Sequence, residues 1–346
     1  MSSPGHFPGQ HPQLGLTFRY FQETDCFVKS LTARPWAPDG ETGGESWMDL
    51  RAIAMGLAFA LMWSSAFTSA RIIVMDASPL FSLAVRFLIS GLIGVAIARW
   101  LGQSWRLTRG QWKATIIFGV CQNALYLGLN FVAMQWIEAS LAAIIASTMP
   151  LLAALATWMI FGERIRPLGL LGLLAGLAGV VLIMGTRIGA GVDLFGVFLC
   201  VIAVLALTIA TLALRGATSG GNFMMVVGLQ MLIGSAILFA AAPLSEEIFV
   251  NPTLRLGLAF AYTTIVPGLM ATFIWVLLLN RIGAIRAATF HFLNPVFGVA
   301  VASMLLGERL GMLDLIGVAI VTLGILAVQL SRQPARTNSD SLSVKN

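Results

Sequence analysis

The stretch HFLNPVFGVAVASMLLGER, at 291–309, is apolar almost throughout, yet it has a proline near its start and ends in Gly-Glu-Arg. An upstream stretch, ASTMPLLAALATWMIFGER at 146–164, has the same design, with the same distance from the proline to Gly-Glu-Arg. The two prolines, Pro150 and Pro295, are separated by 295 − 150 = 145 positions. A phrase of this length that occurs twice indicates an internal repeat.

The offset of 145 holds well beyond this motif. It pairs Gly162 with Gly307, Glu163 with Glu308, Ile137 with Ile282, Ala142 with Ala287, Gly172 with Gly317 and Gly179 with Gly324. One ungapped offset over so many positions predicts two homologous halves, 51–186 and 190–330.

The amino-acid composition indicates that both halves lie within a membrane. Apolar residues make up 58% of the 346-residue chain and charged residues only 10%, whereas a typical soluble domain has roughly 25% charged residues. The charges separate apolar runs of about 20 residues, the length that crosses a bilayer as a helix. These runs are 52–74, 79–99, 113–135, 138–161, 168–186, 192–214, 223–243, 254–279, 284–306 and 311–330. The sequence therefore predicts an all-α integral membrane protein with ten transmembrane helices.

Each half holds five spans. Because five is odd, the second half starts from the opposite side of the membrane, which gives two inverted five-helix repeats, an architecture common among secondary transporters. Residues 1–47 are polar and lack a long apolar run, which predicts a disordered N-terminal extension rather than a signal peptide. Met48, just before the first span, is an alternative start. The polar tail 331–346 is expected to be mobile.

Lys and Arg predict the orientation. With both termini in the cytoplasm, the cytoplasmic ends of the spans hold Arg51, Arg99, Arg106, Arg109, Lys113, Arg164, Arg166, Arg215, Arg281, Arg286, Arg332 and Arg336. The outer ends hold only Arg71, Arg187, Arg255 and Arg309. This bias predicts a multi-pass protein of the cell inner membrane with both termini cytoplasmic. It also explains the net charge of +6 without nucleic-acid binding.

The paired prolines predict where a solute passes. A proline removes the helix bond to the carbonyl four residues back, here that of Ala146 and that of His291. A free carbonyl in hydrocarbon is costly unless protein, water or a solute satisfies it. Spans 4 and 9 are therefore expected to line a central polar cavity, with Pro150, Pro267 and Pro295 as gating kinks. The alternative is that the kinks serve packing alone.

Polar and aromatic residues inside the spans form the candidate substrate pathway. They are Trp63, Ser64, Phe67, Thr68, Arg86, Asn123, Tyr126, Asn130, Ser147, Thr264, Trp275, His291 and Asn294. Asn123, Tyr126 and Asn130 fall on one helix face. Arg86 either faces a cavity or extends to the membrane surface. His291 is either a neutral residue bonded to backbone or a substrate contact that titrates near neutral pH.

The sequence lacks the residues that several other functions would require. No Asp or Glu lies in the middle of a span, so a carboxylate proton relay is unsupported, and Glu163 and Glu308 are expected to cap the helix that follows each of them. The three cysteines are scattered, which favours neither disulfides nor a metal site. No cofactor or metal is expected, and no motif indicates an enzyme. GLLAG at 172–176 is a GxxxG pattern that permits close helix packing within the fold or between protomers.

The chain resembles the EamA-type members of the drug/metabolite transporter superfamily. The resemblance rests on MWSSAF at 62–67, Arg-Phe at 86–87, LNFVAMQWIEASLAAIIASTMPLLAALATWMIFGER at 129–164 and NRIGAIRAATFHFLNPVFGVAVASMLLGERLG at 280–311. It implies ten helices in two inverted repeats, and a cavity lined by spans 1, 3, 4, 6, 8 and 9 with spans 5 and 10 peripheral. It also implies export or facilitated passage of amino acids, other small metabolites or drugs.

The sequence thus predicts a secondary transporter, an exporter or facilitator, that works by alternating access. A phosphate-sugar or nucleotide-sugar antiporter of the same superfamily is the main competing function, although it would need several cations in the cavity. A channel and an intramembrane enzyme are weaker competitors. The expected partners are a small-molecule substrate and the lipid bilayer, and the choice between monomer and homodimer stays open.

Overall fold

The computed structural model describes residues 50–162, 165–213 and 221–332. The predictions for 1–47, Glu163, Arg164, Arg215 and the chain beyond 332 lie outside these residues. Within them, ten helices are long and apolar enough to cross a membrane, which confirms the predicted number. They are α1 (Leu50–Asp76), α2 (Pro79–Trp100), α3 (Arg109–Ala133), α4 (Ala139–Ile160), α5 (Pro167–Gly189), α6 (Leu194–Ala213), α7 (Phe223–Ser245), α8 (Leu254–Trp275), α9 (Arg286–Leu306) and α10 (Met312–Ser331).

The two repeats are inverted. We call the face of the bundle at which α1 begins the near face, and the opposite face the far face. Successive helices alternate in direction, so α1 starts at the near face whereas α6, the first helix of the second repeat, starts at the far face. The equivalent helices α5 and α10 pack against each other, and so do α2 and α7.

Glycines let α5 and α10 approach backbone to backbone. A Cβ atom added to Gly172 would stand 2.7 Å from the carbonyl oxygen of Gly324, and one added to Gly179 would stand 2.9 Å from that of Gly317. The offset of 145 makes Gly172 equivalent to Gly317 and Gly179 equivalent to Gly324, so the pseudo-twofold axis that relates the repeats exchanges the two contacts. The GxxxG pattern of α5 therefore packs within the fold.

The pair formed by α2 and α7 is also close. A Cβ atom added to Gly94 would stand 3.1 Å from the Cα atom of Gly228. The Ser235 hydroxyl of α7 donates a 2.8 Å hydrogen bond to the Ala84 carbonyl of α2. The two repeats are therefore joined by two pairs of equivalent helices, α5 with α10 and α2 with α7.

Two spans contain π-helical segments, which the sequence patterns did not predict. The segments are Gly119–Leu127 in α3 and Thr264–Met270 in α8. Their first residues are separated by 264 − 119 = 145 positions, the offset of the repeat. Pro267 lies in the second segment, but its equivalent in the first is Gln122, so this geometry does not require a proline. Such wide turns occur frequently at functional sites.

The repeated Gly-Glu-Arg motif ends helices. Gly162 has a φ angle of 65° and Gly307 one of 70°. This left-handed conformation, which glycine adopts without strain, stops the helical run in each repeat.

Glu308 caps a helix of the other repeat. Its Oε1 and Oε2 atoms accept hydrogen bonds from the amides of Ala139 at 2.8 Å and Ser140 at 3.0 Å, at the start of α4. The expectation that Glu308 caps the following helix is therefore wrong. Asp314 fills that position, because its Oδ2 accepts a 3.0 Å bond from the Gly311 amide at the start of α10.

The two faces differ in charge. Every acidic residue within the described ranges lies at the far face, namely Asp76, Glu138, Asp193, Glu246, Glu247, Glu308 and Asp314. The described basic residues at the near face are Arg51, Arg99, Arg106, Arg109, Lys113, Arg166, Arg281, Arg286 and Arg332. Some far-face acids cap helices there: Glu246 accepts from the amides of Leu80 and Phe81 at the start of α2.

Candidate functional site

A cavity in the far half of the bundle lies between α1, α2, α3 and α8. About 50 Å³ of it is open to the centre of a water molecule, which is room for a few waters. Its walls are formed by Trp63, Ala66, Phe67, Ala70, Arg86, Tyr126, Leu127, Asn130, Phe131, Met134 and Pro267. At the far end of this cavity, the Arg71 guanidinium donates a hydrogen bond to the Met134 carbonyl and ties α1 to the end of α3.

The helices around the cavity differ from those that the family resemblance implied. α2 contributes Arg86, and no described residue of α4, α6 or α9 lines this cavity. In α4 and α9 small residues pack directly, since a Cβ atom added to Gly298 would stand 2.6 Å from the Cβ atom of Ala143. That contact leaves no space between α4 and α9 for a solute.

Arg86 reaches the cavity from α2, and only 6% of the residue is exposed. No hydrogen bond or ion pair joins its guanidinium to another described residue, and its Nε atom is fully buried without a partner. Its Cζ atom lies 5.4 Å from the ring centre of Phe87. Its Nη2 atom lies close to Gly268 of α8, where an added Cβ atom would be in ordinary contact with it at 3.5 Å. A buried cation without a counter-ion is costly, so the cavity can accept an anion.

Two polar side chains of α3 line the same cavity. The Asn130 amide makes one bond at each end, because Nδ2 donates to the Tyr126 carbonyl at 2.8 Å and Oδ1 accepts from the Cys200 thiol at 3.3 Å. The Tyr126 hydroxyl makes no hydrogen bond to another described residue, so it is available to a solute.

An aromatic cluster lies between α1, α8 and α9. The ring centre of Phe59 lies 4.6 Å from that of Trp275, 5.7 Å from that of Trp63 and 5.3 Å from that of His291. The rings of Trp275 and His291 are 5.2 Å apart. Trp63 belongs both to this cluster and to the cavity wall. The cluster therefore forms the floor of the cavity toward the near face.

Asn294 joins α9 to α1. Its Nδ2 atom lies 3.0 Å from Nδ1 of His291. Its backbone carbonyl accepts a 3.2 Å hydrogen bond from the Ser64 hydroxyl. The predicted residues Ser64, His291 and Asn294 are thus brought together beside the aromatic cluster, not in the wall of the cavity.

One of the two carbonyls opposite the prolines is bonded within its own helix. Phe290–Leu293 tightens into a 3₁₀ turn, in which the His291 carbonyl accepts from the Asn294 amide. The expectation that the His291 carbonyl awaits a solute is therefore wrong, since a shorter-range bond replaces the lost helix bond. In α4 the Thr148 amide donates to the Ile145 carbonyl at 3.1 Å and not to that of Ala146.

A small apolar cluster closes the near ends of the same three helices. Ala52, Leu278, Ala287 and Phe290 are buried together there. The Phe290 ring lies where any side chain at Gly56 would be. The cavity is consequently separated from the near face by this cluster as well as by the aromatic cluster.

Other residues predicted for the pathway lie outside the cavity. The Asn123 amide donates a 2.9 Å hydrogen bond to the Gln230 carbonyl, which joins α3 to α7. The hydroxyls of Ser147 and Thr264 donate to carbonyls one turn earlier in their own helices, at 2.6 and 2.7 Å. Thr68 is buried, and its hydroxyl bonds to no described residue.

Trp63, Phe67 and Pro267 of the apolar wall were predicted, but its other apolar residues were not. Ala66 and Ala70 continue the face of α1 that begins with Trp63, whereas Phe131 and Met134 follow Asn130 on α3. By residue type they cannot be told from lipid-facing residues. Their helical spacing from the polar residues is the only signal that could have identified them.

The EamA-like transporter family model matches the chain twice, at residues 50–185 and 194–330. The chain belongs to this family. Each match covers one five-helix repeat, so the family unit is half of the bundle. The cavity of this EamA-like protein lies where α1, α2 and α3 of the first unit meet α8 of the second.

Its relatives include transporters from several bacteria. The chain is 24% identical to the uncharacterized transporter YvbV of Bacillus subtilis over 283 residues, 80% of this chain and 90% of that one. It is 26% identical to the uncharacterized inner membrane transporter YedA of Escherichia coli K12, with the same coverage. It is 31% identical to the aromatic amino acid exporter YddG of Ancylobacter novellus over 140 residues, 40% of this chain and 47% of that one.

A solved crystal structure shares the fold. It matches with a TM-score of 0.60 at 22% identity and covers 82% of this chain and 99% of its own.

Proposed function

We propose that this protein is a secondary transporter, an exporter or facilitator, that moves small organic metabolites such as amino acids, or drugs, by alternating access. The observation that carries this proposal is the cavity between the inverted repeats, closed toward one face by the aromatic cluster of Phe59, Trp63, Trp275 and His291. Equivalent repeats can exchange conformations, so a closure at one face can be replaced by a closure at the other.

We expect the packing that closes the cavity toward the near face to open during transport. It includes side-chain packing of Phe290 against Gly56 and of Phe59 against Trp275. The bond between Ser64 and Asn294 holds α1 and α9 together deeper in the bundle. A tilt of α9 about that point separates the near ends of these helices and connects the cavity to the near face.

The near face is the cytoplasmic one in this proposal. Its described charges are all basic, as the positive-inside rule requires of cytoplasmic ends. The name of the relative YedA supports placement in the inner membrane. The transporter is then a multi-pass inner-membrane protein with both termini in the cytoplasm.

Other functions fit the cavity less well. A phosphate-sugar or nucleotide-sugar antiporter needs several cations against a doubly charged group, whereas Arg86 is the one charged residue among the described wall residues. An enzyme needs a nucleophile and base or metal ligands, and the described residues contain no group of three side chains that could hold a metal ion. A channel does not need the two-sided closure that inverted repeats provide.

Flux through purified protein in proteoliposomes tests the proposal. The panel holds labelled amino acids, a nucleoside, a sugar phosphate and a cationic drug, each with and without a pH gradient. We expect saturable uptake of one organic class. The variant Tyr126→Phe, which removes a cavity hydroxyl with no described partner, should lower that uptake about fivefold, the effect of one lost hydrogen bond.

Thr322→Val is the matched control. It removes a hydroxyl that bonds only to the Val318 carbonyl within α10, away from the cavity, so uptake should not change. Protein that is folded and yet moves no member of the panel would contradict the transport function.

A further inference from the structure

We infer that the cavity selects organic monocarboxylates with an apolar body and no ammonium group, and that Arg86 binds their carboxylate. This inference rests on the proposed transport function and names the substrate class of the same site. It starts from Arg86, whose guanidinium has no carboxylate partner within the described part of the chain.

Arg86 does not lie at the protein surface. A guanidinium that extended to the membrane surface would be exposed, but only 6% of Arg86 is. Near it, the hydroxyl of Ser90, one turn along α2, is also buried without a hydrogen bond to a described residue. Polar groups in such a position are normally paired, because each unpaired group costs free energy. Nε and the Ser90 hydroxyl are sealed from the cavity, so an anion there would bind the terminal nitrogens Nη1 and Nη2, which also form no hydrogen bond to a described residue. The planar fork of these nitrogens fits a carboxylate with two parallel bonds.

The rest of the wall defines the remainder of the ligand. Apart from Arg86, the wall is mainly aromatic and aliphatic, with Trp63, Phe67, Phe131 and Met134 around the space. These side chains favour an apolar body. They have to move apart to hold it, because the cavity in this conformation has room for only a few waters. The Tyr126 hydroxyl, which is unbonded, adds one donor or acceptor beside Arg86.

An ammonium group finds no counter-ion among the described residues of the cavity wall. None of the described wall residues is acidic, and the Asn130 carbonyl oxygen already accepts from Cys200. An ammonium would leave water without a counter-ion and would be close to the positive charge of Arg86, both of which are unfavourable. An amino acid is therefore expected to bind less tightly than the corresponding acid without the amine.

Three probes of one shape test this selection. They are 3-phenylpropionate, its neutral amide 3-phenylpropionamide, and phenylalanine, which adds the ammonium group. In proteoliposomes with the wild-type protein we expect the acid to be taken up about tenfold better than either of the others, the size of a charge-assisted pair. Equal uptake of acid and amide, or better uptake of phenylalanine, would overturn the inference.

Variants of Arg86 test whether this residue is responsible for the preference for the acid. Arg86→Gln should reduce uptake of the acid to that of the amide, and Arg86→Lys should retain part of the preference because it keeps the charge without the planar fork. Arg255→Gln, at an exposed position at the start of α8, is the control and should retain the full preference. If Arg86→Gln does not fold, the comparison of acid and amide in the wild-type protein still decides.

Transport itself and the selection of monocarboxylates can be tested separately. If a neutral solute is taken up saturably while 3-phenylpropionate is not, transport stands and the monocarboxylate inference falls. If folded protein neither binds nor moves any probe or panel member, both fall.

Discussion

Arg86, which is buried, and Arg187, which is partly buried, have opposite surroundings. Arg187, at the far end of α5, forms ion pairs with Glu138 of α4 and Asp314 of α10, and its Nη2 atom lies 3.1 Å from Oδ2 of Asp314. The side chains of Arg187 and Asp314 are 13% and 7% exposed. Arg86, in contrast, meets the cavity with no described carboxylate near it. Arg187 therefore joins the two repeats, whereas Arg86 is left for a ligand.

Arg187→Ala is expected to lower stability by about 3 kcal/mol, because it leaves the buried Asp314 carboxylate without its cation. Glu138 is 42% exposed and adds little to this loss. Thermal unfolding of the purified protein in detergent measures the change. Arg255→Ala, which removes an exposed arginine, is the control. Equal midpoints for the two variants would show that the ion pairs do not stabilise the fold.

The sequence identified Arg86 as important but could not decide between a cavity and the membrane surface. The direction of a long side chain depends on neighbours from other helices, and Arg86 extends toward Gly268 in the other repeat. The same limit applies to Asn123 and Tyr126. Helical spacing placed them on one face, yet the π-helical segment between Gly119 and Leu127 separates them, so that one bonds to α7 and the other meets the cavity.

At the scale of elements, close backbone contact is what holds α5 to α10. A Cβ atom added to Gly324 would stand 2.6 Å from the Gly172 carbonyl oxygen and 2.6 Å from the Gly176 amide nitrogen. Backbone atoms cannot rotate away as a flexible side chain can. Even one methyl group at this position forces the helices apart.

Gly324→Ala is expected to cost about 1–3 kcal/mol, the range for overpacking a filled interior. Gly185→Ala in α5 is the matched control, because nothing lies within 4 Å of a Cβ atom there. Thermal unfolding of both variants in the same detergent compares them. A loss of stability as large in Gly185→Ala as in Gly324→Ala would exclude the close contact as the cause.

The ten spans and their repeat were predictable because hydropathy and a fixed offset are properties of the sequence itself. The π-helical segments were not, since each is short, 9 and 7 residues, and shifts the hydrophobic period too little to be read. The target of Glu308 was missed for another reason. The N-terminus of α4 that it caps is distant in sequence and becomes its neighbour only in the folded bundle.

The molecule as a whole is polarised, with its described acids at the far face and most of its described basic residues at the near face. Orientation in the membrane can be measured by thiol labelling in intact cells, in a background without native cysteines. A cysteine replacing the exposed Ala190 at the far face should react with a membrane-impermeant maleimide. A cysteine replacing the exposed Gly110 at the near face should react only after permeabilisation. The reverse pattern would place the near face outside the cell.

The unpaired charge of Arg86 also has an electrical consequence. When the empty site changes its exposure from one face to the other, a positive charge moves through part of the membrane voltage, which is worth about 2.3 kcal/mol per 100 mV for a full crossing. With a monocarboxylate bound, the moving site is neutral and the voltage does not act on it. In the proposed transport cycle, an inside-negative potential would therefore draw the empty site to the cytoplasm and leave the loaded site free to release outward, so the membrane voltage would favour export of the monocarboxylate.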